Sequence, residues 1–410
     1  MTDSVPPQVK ERSPKLLIFL SLFNSVLGLS ILFPILAPLG RQLGLSEVEV
    51  GWLSTGYAVM QFIASPLWGR YSERVGRKPV LLVGVFGFAI GFAFFATAVE
   101  LGHRHLLTGT ALFFSLLGSR VLGGFLSSAT MPSAQAYIAD ITDRKDRTSG
   151  MALIGAAFGL GIVFGPGLGA GLSHFGLLVP VYVSTAVALL NGIFVWLRVP
   201  EPVRRADRGT FSPSFRVLLR VWPVLGVGFV VTLAAVSMEQ TIAFLFQDVL
   251  HLDAFGAARN VGIALVSYGI SSVLSQGLFV RKVKWSPLKL ILVGVPFSIL
   301  GFAGLTVFSG MFGLTAALAL QGFGQGLVLP GISAALSLDV SETEQGEVAG
   351  LNSASQALGR TLGPVIGTAL YGFHLRSPYQ LSVALLVTVF VVVLLSPGLR
   401  LRVSGTRLSN

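Results

Sequence analysis

LILVGVPFSILGFAGLTVFSGMFGLTAALALQGFGQGLVLPGISAALSL, residues 290–338, runs for 49 positions without an Asp, Glu, Lys or Arg. A helix crosses a bilayer's hydrocarbon core in about 20 mainly apolar residues, so this stretch is long enough for two spans. Small and polar residues, Ser309-Gly310-Met311-Phe312-Gly313, mark the break between them. The gaps between charges divide the rest of the chain in the same way. Lys15–Arg41, Glu49–Arg70 and Lys78–Glu100 each hold one span, and Arg104–Arg144 holds a fourth with Arg120 inside it. Arg147–Arg198 is again charge-free and of double length, broken near Ser173-His174-Phe175-Gly176. Arg220–Asp248 holds a span interrupted by Glu239, and Arg259–Arg281 another. After the quoted stretch, Glu347–Arg376 holds a span containing Arg360, and Pro378–Arg400 is the last. The expectation is an all-α membrane protein of about twelve spans.

Composition agrees. The 410 residues are 53% hydrophobic and only 11% charged, where a soluble domain carries about 25%. Such a chain cannot cover itself with a wet surface, so lipid is its main solvent. The 49 glycines suit close helix packing in a bilayer. With no cysteine, thiol catalysis, disulfides and Cys-based metal sites are excluded. The apolar stretch after the polar N-terminal tail is too long for a signal-peptide core and reads as the first span.

The net charge of +11 resembles a nucleic-acid signal until its distribution is counted. With both termini in the cytoplasm, 23 of the 29 Lys/Arg fall in cytoplasmic segments and four in outer loops; Arg120 and Arg360 are embedded. That is the positive-inside pattern, so the charge reports topology and no nucleic-acid partner is expected. All five histidines then fall on the outer side, which tolerates them, and no metal site is expected.

Gly124, Pro132, Gly165, Pro166 and Gly169 recur as Gly322, Pro330, Gly363, Pro364 and Gly367, each displaced by 198 positions. Spans 4–5 and 10–11 therefore read as copies of one unit. The expected organisation is a tail (1–14), a six-helix bundle (15–198), an Arg- and Pro-rich linker (199–217), a second six-helix bundle (218–400) and a tail (401–410).

Three stretches carry a family resemblance. GRYSERVGRKPVLL, Gly69 to Leu82, resembles the signature loop between spans 2 and 3 of the major facilitator superfamily. Its glycines permit a tight turn and Pro79 suits a first helical turn; Gly69, Arg70, Glu73, Arg74, Gly76, Arg77 and Lys78 match the gating pattern. The resemblance implies that Glu73, where the pattern usually has Asp, helps latch the two halves. In span 5, GAAFGLGIVFGPGLGAGL resembles the "antiporter" motif of the superfamily's drug exporters, through Gly161, Gly165, Pro166 and Gly169. Spacing by four places those glycines on one helix face. In span 4, Arg120 followed by Gly-Gly, with AYIADIT further on, resembles tetracycline/proton antiporters and related multidrug exporters. Span 1 of that branch often carries an Asp; this chain has Asn24.

The resemblance implies the major facilitator fold, two six-helix bundles with a midplane substrate site between them. It also implies proton-coupled export by alternating access, and a monomer in the bacterial inner membrane. No cofactor is expected beyond the proton gradient. Embedded charges cost about 2.5–3.5 kcal/mol each and mark function, so Glu239, Arg120 and Arg360 head the candidates for substrate or proton coupling. Asn24, Gln61, Gln321, Gln325 and Gln356 are the expected polar cavity groups. Two roles are open for Glu239: a proton carrier, or a permanent partner of Arg360 or Arg120. The alternative functions are a sugar or other polar-metabolite transporter and, remotely, an integral membrane enzyme, which would need a titratable cluster not visible here.

Overall fold

A computed structural model describes residues 12–142, 147–202, 215–283, 285–341 and 344–396. The expected tails and central linker lie largely outside them. In the first half the helices are α1 (Arg12–Ile31), α2 (Leu36–Gln42), α3 (Glu47–Val75), α4 (Arg77–His103), α5 (Gly109–Ser127), α6 (Thr130–Ile141), α7 (Arg147–Ser173) and α8 (Val179–Arg198). The second half has α9 (Phe215–Leu250), α10 (Ala254–Leu274), α11 (Arg281–Val283), α12 (Pro287–Val307), α13 (Met311–Leu338), α14 (Gln345–Phe373) and α15 (Ser377–Leu395), with a π-helical stretch, Ser275–Val280, before α11.

Proline explains two breaks inside expected single spans. Pro34 lies in the turn between α1 and α2. Pro132 has no N–H for the Ser128 carbonyl, and the chain bends there between α5 and α6. Helix starts are set by local chemistry. At α3 the Ser46 Oγ accepts from Glu49 N (3.3 Å) while the Glu49 carboxylate accepts from Ser46 N (2.8 Å), a complete capping box. Asp253 caps α10 the same way through Gly256 N at 2.8 Å.

Among the described residues, ten helical segments are long and apolar enough to cross a membrane. The two other long ones, α3 and α14, have 29 residues each, ample for a span. They miss on composition, and they pack along each other between the halves, where Thr55 Oγ1 of α3 donates to the Thr361 carbonyl of α14 at 3.1 Å. A hydropathy ruler penalises the helices that line an interior.

The 198-residue repeat is a repeat of packing. Gly165 of α7 approaches α1 so closely that a Cβ there would sit 1.9 Å from Ser30 Oγ. Gly363 of α14 meets α9 in the same way, with Val236 Cβ at 3.0 Å. Gly124 and Gly322, also 198 apart, receive the backbones of Tyr57 on α3 and Tyr268 on α10, leaving no room for a Cβ at either glycine. The two halves join along α3–α14 and α7–α10, with α2 against α9 and α10. All five histidines stand at helix ends on one side of the bundle, called here the histidine end; the expected signature loop marks the opposite, basic end.

That signature loop is mostly helix. α3 continues to Val75 and α4 begins at Arg77, so Gly76 alone makes the turn, at φ 125° where a side chain would be strained. Pro79 does lie in α4's first turn.

Candidate functional site

Between the halves lies a cavity of about 530 Å³, within the range of pockets that hold drug-sized ligands. Its wall is mainly apolar: Leu29 from α1, Phe33 from the turn after it, Phe62 from α3, Met131 from α6, Phe158 and Ile162 from α7, Leu329 from α13. Polar groups enter it from both halves. Of the residues expected from sequence, Glu239, Arg120, Arg360, Gln61, Gln325 and Gln356 line it.

Asn24 and Gln321 do not. The cavity face of α1 carries Leu22, Ser25 and Leu29, so Asn24, about a third of a turn from Ser25, points into the packed interior at 4% exposure. Gln321 packs into the notch left by Gly301 of α12 and donates through Nε2 to Gln325 Oε1 at 3.0 Å. It supports a cavity residue from behind.

The three embedded charges are held differently. Arg120 is 3% exposed. Its guanidinium lies over the Tyr57 ring at 4.4 Å and its Nε donates to the Leu53 carbonyl at 3.4 Å. Tyr57 is fixed in turn, its hydroxyl sharing a 2.8 Å hydrogen bond with Ser127 and accepting from Gln61 Nε2 at 3.3 Å. Arg360 is exposed to the cavity and donates to Gln356 Oε1 at 3.4 Å, in a ladder Asn352–Gln356–Arg360 spaced by four on one face of α14. Its guanidinium stands 5.9 Å from the Phe158 ring across the interface. Glu239 is half-buried on α9 and, among the described residues, forms no salt bridge with either arginine. A contact ion pair, one of its two open roles, is not made in this conformation.

Sequence reasoning missed Tyr57, Tyr268 and Gln240. The Tyr268 hydroxyl donates to Gln325 Oε1 at 2.6 Å, repeating the Tyr57–Ser127 pair in the other half, and Ser127 and Gln325 are themselves 198 apart. That offset held the signal for the partners. The tyrosines are 211 apart, because connections of different length precede them. Gln240 accepts from Ser54 across the halves at 2.7 Å.

The histidine end of the cavity is sealed by charge. Arg41 of α2 grips Asp248 of α9 with both Nη groups, at 2.6 and 2.9 Å, and also reaches Glu47 at 2.9 Å. Tyr371 of α14 donates to the same Asp248 at 2.6 Å, and the Phe244 ring lies under the Arg41 guanidinium at 4.7 Å. The sequence marked Arg41 and Asp248 only as span ends. Toward the basic end the cavity wall runs out to Pro66 of α3 and Gly350 of α14, both exposed. The cavity is thus closed at the histidine end and reached from the basic end.

At the signature turn, Arg77 is buried and pairs with Asp140 of α6 at 3.1 Å while donating to Ser72 Oγ at 2.7 Å. Glu201 caps α4, its carboxylate accepting from Arg77 N (2.5 Å) and Lys78 N (2.9 Å). Glu73, the expected latch, is exposed on α3, with no salt bridge to a described residue. Gly69, Arg70 and Arg74 share α3's last turns with it, away from the cavity wall. The motif glycines Gly161, Gly165 and Gly169 seat α7 on α1, and the Pro166 carbonyl lies 2.8 Å from where a Gly262 Cβ would be. A carboxylate at a helix N-terminus contributes about 0.3–1 kcal/mol, so Glu201→Gln is expected to speed amide exchange at Arg77 and Lys78 about two- to fivefold. Hydrogen-exchange mass spectrometry measures this; unchanged protection would mean the contact adds nothing.

Comparison with known proteins agrees with this architecture. The family model of the Major Facilitator Superfamily matches residues 18–313 and 253–407. Multidrug resistance protein 2 of Bacillus subtilis (strain 168) is 28% identical over 384 residues, spanning 90% of this chain and 92% of that protein. Quinolone resistance protein NorA of Staphylococcus aureus (strain MRSA252) is 24% identical over 381 residues, 92% and 95% of the two chains. Among solved structures, the human organic anion transporter MFSD10 (TETRAN) superposes with a TM-score of 0.65 at 22% identity, over 94% of this chain and 100% of that one. A bacterial homologue of the human lysosomal transporter Spinster, inward-facing and unoccupied, gives 0.72 at 15% identity, over 97% and 98%. With an all-helical fold in two packed halves around a ligand-sized cavity, this chain belongs to the Major Facilitator Superfamily of multi-pass membrane transporters.

Proposed function

We propose that the protein exports drug-like or amphipathic small molecules from the cytoplasm in exchange for protons, by alternating access of the central cavity. The observation that carries this reading is a cavity between two repeated halves, closed at one end, with Glu239 as its only carboxylate among the described residues. The basic end faces the cytoplasm on the positive-inside rule, so the cavity stands open to cytoplasmic substrate. Proton and substrate then share one site: a proton on Glu239 changes the charge a substrate meets, and rocking of the halves carries both between the two sides. The apolar wall favours amphipathic compounds over sugars, whose hydroxyls need many convergent polar groups. The drug-resistance names of the curated relatives support the same direction.

The test is reconstitution in liposomes with a panel of fluorescent drug-like compounds and an imposed pH gradient. Transport that follows the gradient in sign and size is expected. Transport indifferent to the gradient would replace the exchanger with a facilitator.

A further inference from the structure

Arg120 is placed as if waiting for a negative charge. The charged residues of the cavity wall are Arg120, Arg360 and Glu239, a formal sum of +1. Arg360 is exposed to the cavity and donates to Gln356, so the cation held away from water is Arg120. Its side chain is 97% enclosed, counting from 3% exposure, yet it forms no ion pair with any described carboxylate. Among the described residues its only hydrogen bond is the 3.4 Å one from Nε, so both Nη groups have donors to spare. An arginine so enclosed is normally paired, because an uncompensated charge away from water is expensive.

The repeat shows that packing does not demand this charge. The notch glycines Gly124 and Gly322 sit 198 positions apart, and each receives a tyrosine backbone. The position 198 beyond Arg120 is Leu318, fully buried in the core. The chain therefore builds the same helix contact once with leucine and once with arginine. Only the arginine copy reaches the cavity: Leu318 does not line it. The Tyr57 ring backs the guanidinium, itself tethered through Ser127 and Gln61, and leaves the planar edge for a bidentate acceptor.

Resting on the reading of this cavity as the substrate site, we infer that it selects amphipathic organic monoanions, gripping a carboxylate or sulfonate with Arg120. The apolar body then lies against Phe33, Phe62, Met131 and Phe158. The same chemistry is offered by a soluble aromatic acid and by an anionic lipid, and the experiment separates them.

Three dansyl compounds share one fluorophore: dansylglycine (anionic), its methyl ester (neutral) and dansylcadaverine (cationic). Their binding to the full chain in phosphatidylcholine nanodiscs, without any gradient, reads the site alone. A charge-assisted bidentate contact contributes about 1.5–3 kcal/mol, so dansylglycine is expected to bind at least about tenfold tighter than the other two. Arg120→Leu, which copies the chain's own solution at Leu318, is expected to erase that margin while leaving the ester within about twofold; Arg120→Lys restores part of it. The inference is overturned if the ester or the cation binds as tightly as the anion, if dansylglycine shows no saturable binding, or if Arg120→Leu weakens all three alike. Displacement of dansylglycine by phosphatidylglycerol in the disc would assign the site to lipid and overturn a soluble substrate. A liposome arm with the same compounds and a pH gradient tests the export reading separately. Anion binding without gradient-driven movement sinks proton-coupled export and keeps the anion site. Gradient-driven movement of the ester or cation, with no preference for the anion, does the reverse.

Discussion

Glu239→Gln is expected to leave a protein that binds substrate and exchanges it across the membrane, but no longer accumulates it against a gradient. Glutamine keeps the size and one acceptor oxygen of Glu239 and loses only the exchangeable proton. Among the described residues no other carboxylate lines the cavity, so none of them takes over. Position matters as much as chemistry. The next residue, Gln240, accepts from Ser54 of the other half at 2.7 Å, so separation of the halves at that level moves the segment of α9 carrying Glu239. The surroundings of the carboxylate, and with them its affinity for protons, then change with the direction the cavity faces. Coupling free energies between sites are typically about 1–3 kcal/mol, so its removal is expected to reduce gradient-driven accumulation up to about a hundredfold. Counterflow of labelled substrate without a pH gradient is the internal control and is expected to persist. Undiminished accumulation in the variant would assign Glu239 a structural role and move the coupling elsewhere.

The second large effect is expected further along the same helix, near its C-terminal end. Asp248 is the node of the histidine-end seal, gripped by Arg41 through both Nη groups and by the Tyr371 hydroxyl. Arg41 and Asp248 are 28% and 33% exposed, so solvent screens the pair only in part. Asp248→Asn removes the charge and keeps the shape, at a cost to the closed seal of about 1–2 kcal/mol. That is about a five- to thirtyfold shift toward the state open at the histidine end. The absence of native cysteine makes the measurement direct. Spin labels at Val48→Cys and Phe373→Cys, both exposed near the histidine ends of α3 and α14, report the width of that mouth. A longer-distance population is expected to grow in the Asp248→Asn background. An unchanged distribution would mean the seal is held by packing, such as that of Gly51 against Thr368, and not by the charge cluster.

Membrane class, approximate span limits and the 198-residue repeat were legible in the chain, because a bilayer imposes length, apolarity and charge asymmetry on every segment. The three embedded charges were legible for the same reason: lipid makes each one conspicuous. Six of the eight expected coupling and cavity residues line the cavity, since an internal polar residue in a span has few other places to be. The failures have a common cause. Asn24 and Gln321 are as polar as Gln61 and Gln325, and which side of a helix meets the cavity depends on how it rotates against its neighbours.

What the sequence determined by itself is therefore everything that depends on the solvent: how much of the chain is membrane, where it turns, and which charges are out of place. Only the tertiary structure decided what depends on partners. It showed Arg120 resting on a tyrosine with no carboxylate at hand, and Arg41 meeting Asp248 across 207 positions of chain. It showed Glu201 capping α4, and Glu73 exposed where a latch was expected. Hydropathy is a property each residue carries along the chain, whereas an ion pair or a cavity wall exists only between helices, and the packing of small residues such as Gly165 and Gly363 sets where those helices meet.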